Sequence, residues 1–125
     1  MNRQFVLYQS LAACGAAIIA FIGVVHEVAG PLIFPFAPPL FGDLLWHGIG
    51  VFAISLGLLL LGGTLGVINF PVKRAAPIAI VGGIAAMAYM AIWHDRFHFF
   101  ALCLICAGIA NMVFHGKAEA LLKSG

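Results

Sequence analysis

Seven side chains able to bind a proton or a metal ion fall in three short stretches of this 125-residue sequence: His26 and Glu27, then Asp43 and His47, then His94, Asp95 and His98. Neutral imidazole is a ligand for zinc, copper and ferrous iron, and a carboxylate beside it either completes the coordination shell or orients the ring through its second nitrogen. His26, His47, His94 and His98 are therefore the ligand candidates for a transition metal ion (copper, zinc or iron). Glu27, Asp43 and Asp95 are candidates for additional ligation or for holding the rings. Three histidines around an ion with one open position would activate water or dioxygen; four with no opening would make a structural or electron-transferring centre. A haem b between two histidines on facing helices is the lesser cofactor expectation. A second haem on the far side would need another histidine pair, and only His115 is available there.

These residues are far apart in sequence, so the chemistry depends on elements that bring them to one place. The composition says what those elements are. Only six basic and four acidic residues occur, 64% of the chain is apolar and the mean hydropathy is +1.15. A soluble domain of this size needs a far more polar exterior, so lipid is the expected solvent. The net charge of +2 is spread thinly, without the basic run that could follow a phosphate backbone, which excludes nucleic acid as a partner.

A membrane span needs about 20 mostly apolar residues at 1.5 Å each. Four stretches qualify, at about 5–25, 44–68, 77–93 and 97–114, and they predict one domain over 1–125: an all-α, integral membrane four-helix bundle. The third and fourth spans are separated only by His94-Asp95-Arg96, which forces a tight antiparallel pair. Asp43 and Asp95 each precede a span where a carboxylate can cap the first free amides. Pro71 and Pro77 bracket Val72–Ala76, read as a short turn with Pro77 in the first turn of the third helix. The remaining connection, 28–43, carries four prolines among large apolar residues, which forbids regular helix and places it at the interface, over the bundle mouth or against another subunit.

Arg3, Lys73, Arg74, Lys117 and Lys123 fall on one side of such a bundle and only Arg96 on the other, so the positive-inside rule puts both termini in the cytoplasm. The same alternation puts His26, Glu27, Asp43, His47, His94, Asp95 and His98 together at the outer end, one histidine from each helix. Helix ends in a bundle lie about 10 Å apart, close enough for four imidazoles to converge. The alternative for each ring taken alone is anchoring in the interfacial belt that Trp46, Trp93, Phe97, Phe99 and Phe100 mark.

Other motifs carry less. Cys14, Cys103 and Cys106 lie within apolar stretches and read as small buried packing residues, so the Cys103/Cys106 CxxC is not read as a redox pair. Leu11-Ala12-Ala13-Cys14 resembles a lipoprotein cleavage box, but the apolar run continues past it, so the first helix is expected to be retained. Gly62 and Gly66 form a GxxxG step, and Ala12, Ala16 and Ala20 a small-residue stripe; both predict close helix approach. The chain resembles small multidrug-resistance exporters in size only: its sole acid on the first span is Glu27 at the outer end, with no charge midway to relay protons. Histidine-box desaturases carry several HxxxH and HxxHH clusters, and here only His94 and His98 match one. No residue stands out as catalytic, and enzyme status stays open. The functional expectation is a small polytopic protein, in the bacterial inner membrane, binding a transition metal at a histidine/carboxylate cluster that faces the periplasm. The alternative is a cofactor-free accessory subunit, associated with other membrane subunits or with copies of itself.

Overall fold

In the computed structural model, which describes residues 3–28, 42–93 and 99–124, the chain is all-α. Four helices follow in order: α1 (Arg3–Val28), α2 (Gly42–Leu65), α3 (Val72–Trp93) and α4 (Phe99–Ser124). Each is long and apolar enough to cross a membrane. Apolar side chains ring the helices instead of forming one stripe: Phe21, Leu58, Val81 and Ile92 all point out of the bundle. A helix apolar on every side belongs in lipid or in the middle of a larger protein, since water rewards only one buried face.

α1 packs along both α2 and α4, α4 along α3, and the α2–α3 contact is the smallest of the four. Ala16, Ile19, Leu56, Leu60, Val72, Ala76, Ala79 and Ala107 form the shared core. Its small residues let the backbones close in. A side chain at Gly57 would meet the Ala20 backbone, its Cβ only 2.7 Å from the Ala20 Cα. One at Gly15 would lie 2.8 Å from the Ala107 carbonyl oxygen and 2.9 Å from the Asn111 nitrogen. The stripe of Ala12, Ala16 and Ala20 thus works as the sequence implied: Ala12 and Ala16 are buried, and Ala20 fits against Gly57.

The Gly62/Gly66 step does something else. Gly66 takes a left-handed φ of 77° directly after α2. Val67 N–H donates to the Gly62 carbonyl at 2.9 Å and Gly66 N–H to the Gly63 carbonyl at 3.3 Å, which is the Schellman arrangement that satisfies the last carbonyls of a helix. The space over Gly62 is filled by Ile68 from the same turn, so this GxxxG ends a helix and brings no second helix against it among the described residues.

Two helix ends also differ from the expectation. Residues 72–76 are helical, because α3 starts immediately after Pro71, whose carbonyl accepts from Ala75 N–H at 3.0 Å. Pro77 is therefore inside the helix. The carbonyl it deprives of an amide partner, that of Lys73, lies at the charged end of α3, where a polar surrounding can satisfy it. α4 runs beyond Phe114 to Ser124, carrying polar residues past the apolar run. Among the cysteines, Cys14 and Cys106 are exposed on the outer face of the bundle and Cys103 is half-buried, all as free thiols, which corrects the expectation of buried packing residues.

Candidate functional site

Contacts between helix ends sort the side chains by face. At one end Gln9 of α1 donates to the Thr64 carbonyl at the close of α2 (3.2 Å), and Lys73 at the start of α3 pairs with Glu119 of α4 at 2.7 Å. Tyr8 stacks on Phe114 with ring centroids 6.0 Å apart, and the Lys117 ammonium lies 5.3 Å from the Tyr8 centroid. The first residues of α1 and the last of α4 thus share this end. His115 is mostly buried there, 3.8 Å from Glu119.

At the opposite end α1 delivers His26 and Glu27 in its last turn, and α2 delivers His47 in its second. Neighbouring residues on a helix point about 100° apart, so His26 and Glu27 serve different faces. His26 turns into the bundle and is 3% exposed. Glu27 reaches α2, where its Oε2 lies 2.5 Å from His47 Nδ1. An ionised carboxylate only accepts, so this contact needs the proton on Nδ1 and turns Nε2 to the far side of the ring. The His47 side chain is 57% exposed and that of Glu27 21%. Glu27 Oε1 is buried and has no hydrogen-bond partner among the described residues. It lies over Gly50, in the volume a side chain there would take.

The structure thus joins Glu27 to His47 and buries His26 on the preceding residue. His94, Asp95 and His98 lie outside the described residues, as does the side chain of Asp43, which is in the first turn of α2. Among the described residues, no three histidine, cysteine, aspartate or glutamate side chains are grouped to hold a metal ion. What the described pair can do is set one imidazole: a carboxylate on Nδ1 fixes the tautomer, aims the ring and raises the basicity of Nε2.

Sequence reasoning overlooked a polar cluster inside the bundle. Asn111 is fully buried, and its Nδ2 donates to the Ala12 carbonyl (2.9 Å) and to Thr64 Oγ1 (3.1 Å), tying α4 to α1 and α2. The signal was available, since Asn111 interrupts an otherwise apolar run between Ala110 and Met112. A polar residue at that depth must find partners on neighbouring helices.

The chain matches no protein-family model, no curated protein and no solved structure.

Proposed function

We propose that the chain is an integral membrane protein that binds a transition metal at the end of the bundle carrying His26, Glu27 and His47. His94 and His98 supply the further imidazoles, and Asp43 and Asp95 cap helices or support the ligands. The observation that carries this reading is the 2.5 Å contact from His47 Nδ1 to Glu27 Oε2. Carboxylate–imidazole pairing of this kind is how proteins orient a ligating histidine, and interfacial anchoring of a ring requires no such partner. By the positive-inside rule the positions of Arg3, Lys73, Arg74, Lys117 and Lys123 support a cytoplasmic opposite end, with the metal end facing the periplasm of a bacterial inner membrane. Copper, zinc and iron all accept this donor set, and haem b is the lesser alternative because a second haem across the bundle would need another histidine pair, where the sequence offers only His115.

Elemental analysis of detergent-purified protein tests the proposal. The wild type should carry metal in fixed proportion to protein, and His47→Ala/His94→Ala should lose it. A wild type without metal that migrates with larger subunits in mild detergent would instead establish the accessory-subunit alternative. Metal retained undiminished by the double variant would place the ion elsewhere.

A further inference from the structure

Most interior glycines of this bundle are explained by helix packing. A Cβ at Gly15, Gly23, Gly57 or Gly83 would run into backbone atoms of a neighbouring helix, so each permits two helices to approach. Gly50 is different. The three atoms nearest to a Cβ built there all belong to the Glu27 side chain: Oε1, Cγ at 2.6 Å and Cδ at 2.7 Å. The missing side chain leaves a seat on α2, and the Glu27 carboxyl occupies it.

We infer that Gly50 is a positioning residue for the Glu27–His47 pair. His47 and Gly50 are three residues apart on α2 and so share one face of that helix. Glu27 arrives from α1 and is held between them, with Oε1 buried over Gly50 and Oε2 on His47 Nδ1. A glutamate has three rotatable bonds, and without the seat its carboxyl would swing towards solvent at the helix end. With the seat its Oε1 is buried over Gly50 and its Oε2 is held beside the imidazole. The three atoms nearest to a methyl at position 50 are all in the Glu27 side chain, so Gly50→Ala must displace Glu27. For metal binding this inference rests on the function proposed above; for the pair itself it does not.

The test uses full-length protein in detergent micelles and four variants: Gly50→Ala, Gly48→Ala, Glu27→Ala and Glu27→Ala/Gly50→Ala. Gly48 has no described residue within 4 Å of its Cβ position and is the control on the same helix. Nitrogen-15 NMR of the histidine rings in metal-free protein at one fixed pH reports which nitrogen of His47 carries the proton. Wild type and Gly48→Ala should show the Nδ1–H form. Gly50→Ala and Glu27→Ala should both lose Nδ1–H population relative to the wild type. Metal affinity should fall about 10- to 100-fold in Gly50→Ala, as on loss of a ring-orienting carboxylate. Gly50→Ala retaining the wild-type Nδ1–H signal would overturn the inference. Should Gly50→Ala fold poorly, Glu27→Ala/Gly50→Ala decides the matter: folding as Glu27→Ala does confirms that the clash is with Glu27, and failing to fold assigns Gly50 to helix packing. Wild type that takes up no metal would end the metal reading, while the ring-proton result would still decide the role of Gly50.

Discussion

Gly57→Ala is the sharpest test of the helix packing that sets the site. An added methyl would sit 2.7 Å from the Ala20 Cα, against an ordinary carbon–carbon contact of about 3.5–4.0 Å, so α1 and α2 must separate by about 1 Å. The obstacle is backbone, which cannot rotate aside. A gap of that size forfeits a quarter to a half of the dispersion energy along the crossing, and overpacking of this kind costs about 1–3 kcal/mol. Alanine recovers about 0.5–1 kcal/mol of helix propensity over glycine, so the net effect should lie between no change and a loss of about 2.5 kcal/mol. Gly82→Ala supplies the opposite sign. Gly82 is inside α3 with nothing within 4 Å of its Cβ position, so the same substitution there should gain up to about 1 kcal/mol. Reversible SDS denaturation in mixed micelles, followed by far-ultraviolet circular dichroism, measures both. Gly57→Ala stabilised as much as Gly82→Ala would refute the close α1–α2 crossing, and with it the approach of Glu27 to α2.

Three further outcomes follow from the same contacts. Asn111→Ala removes two interhelical hydrogen bonds, each worth about 0.6 kcal/mol in a bilayer, and leaves a cavity, for a total loss of about 1–3 kcal/mol. Asn111→Leu fills that space and should cost less in the same denaturation assay; the reverse order would show that polar satisfaction outweighs packing. Lys73→Ala breaks a pair whose lysine is largely exposed, so its effect should stay below about 1 kcal/mol and shrink when melting is repeated at high salt. Glu27→Gln keeps the side-chain volume over Gly50 but removes the carboxylate that accepts from His47, and metal affinity measured by competition with a chelating dye should drop about 10- to 100-fold.

The gross architecture was legible because four long, almost entirely apolar runs satisfy their backbone groups best within helices. Helix ends were less legible. The proline pair at 71 and 77 looked like two brackets around a turn, yet Pro71 acts as the start of α3 and the first helical residues run on through Pro77. Proline chemistry alone does not reveal which of two prolines begins the helix. Gly62 and Gly66 match a pattern used both for helix pairing and for helix termination, and only the positive φ at Gly66 separates the two. The Glu27–His47 partnership was half visible: alternation of spans placed both residues at one end, but spacing could not show that Glu27 turns to α2 while His26 turns inward. Gly50 gave no sign at all, since a glycine's purpose lies in what occupies the volume of its absent side chain. His94, Asp95 and His98 lie outside the described residues.

X-ray absorption at the metal edge, on protein purified from membranes and reconstituted in lipid, tests the central claim most directly. The account predicts a first shell containing three or more imidazole nitrogens at about 2.0–2.1 Å, reduced in number by His47→Ala. A preparation with no bound metal, or a shell of oxygens alone that His47→Ala leaves unchanged, would contradict it.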